Sequence, residues 1–243
     1  MRSINLNVKR YLQEVGECSI AAAASVANFF DSKVNYDMAR SLINPDGEGL
    51  YTPEIAILLN KLGFKRVTVI TADLDQVDYE WRKLKKIELI RQLKKMRRYG
   101  PEESYREAAG AYVQFLNDED NDNNVIIDHH FGKYIRQHLM EKKPVMASFN
   151  FTLFHGLPKW DDNGDDDPIR GESSQHEVVI SGCDNEGVEI VDSHHELYHG
   201  RLSKFRSGRY RMDWETLHTV MGEGDIIIPD CYEPSVINEL VSE

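Results

Sequence analysis

Cysteine, long apolar runs and positive charge are all scarce in this sequence, and each shortage excludes a class of protein. Three cysteines (Cys18, Cys183 and Cys231) in 243 residues are too few and too scattered for a disulfide framework. A single reactive thiol in a reducing cytoplasm fits them better. No stretch is apolar enough to span a bilayer, and the opening Met1 to Leu6 has no signal-peptide core, so a cytoplasmic chain without a membrane partner is expected. A net charge of -12 argues against nucleic acid as a partner, because phosphate binding needs a basic footprint.

What is present is enough chain for one large domain, with an ordinary 41% hydrophobic content. Cys18 to Phe30 contains four consecutive alanines and reads as a buried central helix, since small residues let neighbouring backbones come close. Tyr36 to Ile43 reads as a short helix. A third is expected from Thr52 as N-cap and Pro53 in its first turn, stopping at Gly63. Arg66 to Thr71 is β-branched and reads as a strand. Between about residues 73 and 124 a helical insert is expected: Val77, Trp81, Leu84, Ile87, Ile90, Leu93 and Met96 recur at helical spacing, and Pro101 opens a further helix. Downstream, Phe131 to Glu141 and Asp213 to Val220 read as helices. Pro144 to Phe149, His176 to Cys183, Val188 to Asp192 and Asp225 to Pro229 read as strands. Helices followed by an antiparallel sheet make an α+β architecture.

Cys18 stands at the mouth of the alanine helix, where the dipole and free N–H groups stabilise a thiolate. Gly16 permits a tight turn just before it. Position alone also admits a structural cysteine. Gln13, five residues upstream, could bring an amide N–H to the oxyanion of a tetrahedral intermediate, or be a surface glutamine. His176 opens one strand and Asp192 closes the next. With a bulge at Gly187 in the connecting turn, both side chains share one face, and Asp192 would orient the imidazole that takes the thiol proton.

These motifs, Gln13…Cys18 on a small-residue helix, PVMASF at 144–149 and HEVVISGCDNEGVEIVD at 176–192, resemble those of papain-like cysteine peptidases. Within that group they are similar to the bacteriocin-processing (double-glycine leader) peptidases and their stand-alone relatives, as are Tyr210 to Glu215 and the closing GEGDIIIP. The resemblance covers residues of about 10–70 and 130–230 and omits the insert. It implies a papain-like fold with Cys18 as nucleophile, His176 as base and acid, Asp192 as orienter and Gln13 as oxyanion donor. The sequence departs from that pattern at Ser19, Gln175 and Ser193, where Gly, Gly and Pro are usual. The departures bear on substrate subsites.

The acidic run Asp161 to Asp167 with Glu172 partly matches a calcium loop, but Asp166 stands where glycine is needed, and a solvated loop is the reading preferred. The histidine pairs His129-His130 and His194-His195, with His199, are poorly spaced for zinc. No metal and no cofactor are therefore expected. Arg82 to Arg98 holds nine basic residues against Glu88 alone. That face could dock an acidic peptide or acyl substrate, or be neutralised by Glu102, Glu103, Glu107 and the run Asp118 to Asp122. The resulting expectation is an amide or peptide hydrolase working through an acyl-enzyme on Cys18. Open beside it stand an acyltransferase or transpeptidase using an amine acceptor, and a silent peptide-binding module. Substrate and oligomeric state are left open.

Overall fold

The computed structural model describes residues 3–43, 49–160, 165–194, 205, 207–222 and 224–234. Its strands are β1 (Ile4–Asn5), β2 (Phe64–Thr71), β3 (Asn124–Ile127), β4 (Val145–Asn150), β5 (Gln175–Cys183), β6 (Gly187–Val191), β7 (Arg209–Asp213) and β8 (Asp225–Tyr232). They form one sheet in the order β3-β2-β8-β4-β5-β6-β7, with β1 on β5. Only the β2–β3 pair is parallel among these ladders. The central strands are buried on both faces, which explains their unbroken runs Val178 to Ile180 and Ile226 to Ile228.

Helices cover both faces: α1 (Cys18–Phe30), α2 (Tyr36–Ser41), α3 (Thr52–Lys61), α4 (Lys86–Tyr99), α5 (Glu103–Asn117), α6 (Phe131–Met140), α7 (Phe151–His155) and α8 (Trp214–Met221). Helix α1 lies against β5 and β4 and α3 against β2 and β8, while α6, α7 and α8 pack on the sheet together. The alanines of α1 are fully or almost fully buried, as their size requires. The expected α+β class is the one observed, with a mostly antiparallel sheet and α1 at its centre.

Several local expectations need correction. Thr52 is the first residue of α3 rather than its cap; Tyr51 takes that place, and its N–H donates to Glu54 at 2.9 Å. Thr52 is thereby freed to donate its hydroxyl inward to Asp225. The expected helical stripe from Val77 breaks into a 3₁₀ turn (Tyr79–Lys83) and α4, and Leu89 and Leu93 face inward while Ile87 is exposed. Pro101 lies just outside α5. Strands β1, β3 and β7 and helix α7 were not expected. Among the described residues, no helix is long and apolar enough to cross a membrane.

The register of β5 against β6 matters most for function. Cys183 pairs with Val188 and Gly182 with Glu189, yet Ile180 pairs with Ile190 and Val179 with Val191. Ser181 is thus one residue too many, a β-bulge. The bulge lies inside β5 and not at Gly187 as expected, because the turn is already closed by Asp184, whose Oδ1 accepts the N–H groups of Glu186 and Gly187 at 2.8 and 3.2 Å. Continuing the shifted register sets Val178 opposite Asp192, so Asp192 and His176 share a face. Without the extra residue they would lie on opposite faces. Beside the bulge, a Cβ on Gly182 would come 2.4 Å from the Ile4 carbonyl oxygen of β1. Gly182→Ala is therefore expected to lower stability by roughly 1–3 kcal/mol in denaturant titration; an unchanged midpoint would contradict this packing.

Candidate active site

Gly16, at a φ of 76°, turns the chain into α1 so that Cys18 is its first residue. Glu17, in the cap position, does not cap. Its carboxylate is drawn away by the Tyr36 hydroxyl and by Arg40, whose Nε lies 2.9 and 3.0 Å from the two oxygens. The helix mouth is left to the thiol, whose charged form is favoured by His176 and by the backbone N–H groups of Ser19 and Glu177.

The His176 ring is almost fully buried between Phe149 and Phe151, with centroids 6.0 and 5.0 Å away. Its Nε2 lies 2.8 Å from Asp192 Oδ1, which leaves Nδ1 for the sulfur. Asp192 is fully buried, and its charge is answered on every side. Oδ1 also accepts the His194 N–H at 2.8 Å, and Oδ2 accepts the Tyr210 hydroxyl at 2.8 Å. Arg10 holds the backbone here, donating to the carbonyls of Asp192 and, at 3.0 Å, His194.

Electrostatics follow from this arrangement. Burial pushes the Cys18 thiol up, but the hydrogen bond and charge of His176, with the two backbone N–H groups, outweigh it and leave the thiol below its ordinary value. Burial pulls His176 down; the Asp192 carboxylate and the Cys18 sulfur outweigh that and hold the ring above its ordinary value. For Asp192 burial acts upward, and His176 with its other donors brings the carboxyl lower. Each group thus favours the charged form of the other, as a thiolate beside an imidazolium requires. Cys183 is instead buried and its thiol is pushed up, while Cys231 is exposed in the last strand.

Gln13 is buried, and its position is fixed at both ends of the residue. Its N–H donates to the Ser193 carbonyl at 3.1 Å, and its Oε1 accepts from the Ser193 hydroxyl at 2.7 Å. With the amide oxygen taken, the N–H₂ is the donor end of the side chain. Ser193, a departure from the resembled pattern, thus orients Gln13. The structure brings Cys18 and His176 together at the cleft and bonds His176 to Asp192. Sequence reasoning missed Arg10, Ser193 and Tyr210 as their supports. Tyr210 was flagged only as part of a similar segment, and Arg10 offered no signal because its partner lies 182 positions away.

Cys18 and His176 open onto a cleft of about 1010 Å³. Its walls come from α1, from Tyr51, Glu54 and Ile55 around α3, and from Arg106, Glu107 and Gln114 of α5, with Arg97 of α4; Ser148 and Glu177 belong to its floor. The basic stretch thus contributes Arg97 to the cleft. Of the acids expected to neutralise it, Asp122 binds Arg66 of β2 at 2.8 Å, while Glu103 and Glu107 line the cleft with Arg97. Residues 161–164 of the acidic loop, and His195 and His199, lie outside the described residues. Asp167 of that loop binds the Arg170 side chain. Asp128, His129 and His130 bring ligand-type atoms within 4.8 Å of one another, closer than their spacing implied, although Lys133 already bonds Asp128.

Two predictions follow from these charges. The rate of Cys18 alkylation by iodoacetamide, followed against pH by mass spectrometry, is expected to inflect below the ordinary thiol range and to move above it in His176→Ala. The same inflection in both proteins would rule out the ion pair. Asp225, fully desolvated behind the cleft, is pushed up to about 7 by burial, against the Thr52 and Thr71 hydroxyls that favour its charge. An acid raised on folding contributes stability present below its unfolded value near about 4 and lost as pH rises through about 7. Asp225→Asn should match the natural protein at pH of about 4 and melt higher at about 8; equal melting at both would refute the burial cost.

No family model matches the chain, and no curated protein matches it. Among solved structures it is similar to the crystal structure of a candidate C39-like peptidase from Bacillus anthracis, at 15% identity and a TM-score of 0.45, covering 96% of this chain and 100% of the other.

Proposed function

We propose that the chain is a papain-like cysteine peptidase that hydrolyses an amide or peptide bond through an acyl-enzyme on Cys18. The observation that carries this reading is the buried chain Cys18–His176–Asp192, with its 2.8 Å His–Asp bond at a helix mouth facing a cleft. In motif order it resembles the bacteriocin-processing peptidases, with residues 73–124 as a helical insert in one domain of 243 residues.

In this mechanism the Cys18 thiolate adds to the carbonyl carbon, and the charge moves to oxygen. The Gln13 amide nitrogen and the Cys18 backbone N–H donate to that oxygen. His176 gives its Nδ1 proton to the departing amine as the C–N bond breaks, leaving a thioester. Water then attacks the thioester, His176 takes its proton, and the acid leaves with Cys18 restored. A wide, charged cleft admits water readily, which favours hydrolysis over transfer to an amine. The exposed cations of α4 offer an acidic flanking part of the substrate a place to dock.

The test is to incubate the protein with peptide p-nitrophenyl esters, quench, and locate the acyl adduct by mass spectrometry. One adduct on Cys18 is expected, absent in Cys18→Ala, formed about 100-fold more slowly in Gln13→Ala, and lost at a rate that added amines do not change. Adducts on Cys183 or Cys231 at equal rates would overturn the assignment. Faster loss with amines would make the protein a transferase.

A further inference from the structure

Four adjacent strands place polar side chains in one row beneath the cleft. Glu177 of β5 stands opposite Ser148 of β4. One step beyond the Ala147–Ile226 pair, Ser148 stands opposite Asp225 of β8, which stands opposite Thr71 of β2. Residues in register across a sheet point to the same face. The next row on that face, Val69, Ile227, Met146 and Val179, is wholly apolar and buried. The polar row is therefore the boundary between core and cleft.

Two carboxyls in such a row are costly, and little offsets the cost. Glu177 and Asp225 are 5% and 4% exposed. Thr52 donates to Asp225 Oδ2 and the Thr71 hydroxyl also favours the Asp225 charge, yet Asp225 Oδ1 and Glu177 Oε1 are buried with no hydrogen-bond partner. Among the described residues, neither acid has a salt-bridge partner. A core would be better served by apolar residues here. Glu177 also lines the cleft together with Cys18 and Ser148, and its backbone N–H favours the Cys18 thiolate. Its side chain thus branches one backbone step from the nucleophile.

We propose that Glu177, with Ser148 beside it and Asp225 behind, forms a subsite for a cationic substrate side chain, lysine or arginine, next to the carbonyl that Cys18 attacks. Burial and the Cys18 and Asp225 charges push the Glu177 carboxyl well up. An ammonium or guanidinium seated beside it restores the ionised form, whose oxygens only accept hydrogen bonds and so need a donating occupant. A second carboxyl behind and a thiolate beside repel an acidic occupant, and an ammonium or guanidinium supplies both donors and charge. An apolar occupant would leave both acceptors buried and unpaired, which is how such a site rejects the wrong side chain. This inference rests on the proposed role of Cys18.

The test uses acetyl-lysyl, acetyl-norleucyl and acetyl-glutamyl fluoromethyl ketones, whose fluoride the Cys18 thiolate displaces to form a stable C–S bond. Each rate of Cys18 modification is divided by the iodoacetamide rate of the same protein. In the natural protein the lysyl probe should react at least about tenfold faster than the norleucyl probe, and the glutamyl probe slowest. In Glu177→Gln the lysyl advantage should fall to near unity. Equal lysyl and norleucyl rates in the natural protein, or an undiminished advantage in Glu177→Gln, would overturn the subsite. Should that variant not fold, the natural protein's ranking decides alone. If iodoacetamide modifies Cys18 no faster than Cys231, the failure lies with the nucleophile itself; if it singles out Cys18 while the probes do not discriminate, only the subsite falls.

Discussion

Asp192 is a carboxylate with no exposure at all, and a charge removed from water is tolerated only when every lone pair and the net charge are answered. His176, the His194 N–H and the Tyr210 hydroxyl do this between them, and Arg10 pins the backbone on which they hang. Because Asp192 is satisfied only when His176 is in place, the imidazole has one orientation and one nitrogen left for Cys18. The rest of the site is a consequence. The phenylalanines that wall the ring keep water from competing, and the Ser181 bulge brings the two strands' side chains to the same face.

The opposite end of the site is governed by what is withheld. Helix α1 has no side-chain cap and no acid in its first turn, since Glu17 is committed to Tyr36 and Arg40. An ordinary helix would spend its first N–H groups on a capping oxygen. Here the Ser19 N–H favours a charged sulfur instead, and the cap's stability is forgone. The buried carboxyls of Glu177 and Asp225 are a second concession of the same kind, made one strand away.

Much of this was readable before any coordinates. Alanines in α1, the β-branched runs of the central strands and the turn at Asp184 to Gly187 carry local signals, and they place Cys18, His176 and Asp192 at element ends. The bulge was less legible. Its necessity followed from parity, but its location at Ser181 depends on β1 crossing at Gly182, a tertiary contact. Strand β3 is short and acquires its identity by pairing with β2, and β7 alternates charged residues that look solvated. Thr52 illustrates the limit well. A cap residue by type, it is claimed by a buried acid 173 positions away.

The hydrogen bonds that build the site join residues far apart in the chain: 180 positions from Gln13 to Ser193 and 182 from Arg10 to Asp192. During synthesis, then, Cys18 emerges long before anything that can activate it. Until β5 and β6 are made, about ten seconds or more of translation after Cys18, Cys18 has neither His176 nor Asp192 beside it. On the proposed mechanism, reactivity arrives late, when β5, β6 and β7 close over the N-terminal segment. Completion of the fold is then the safety catch on Cys18.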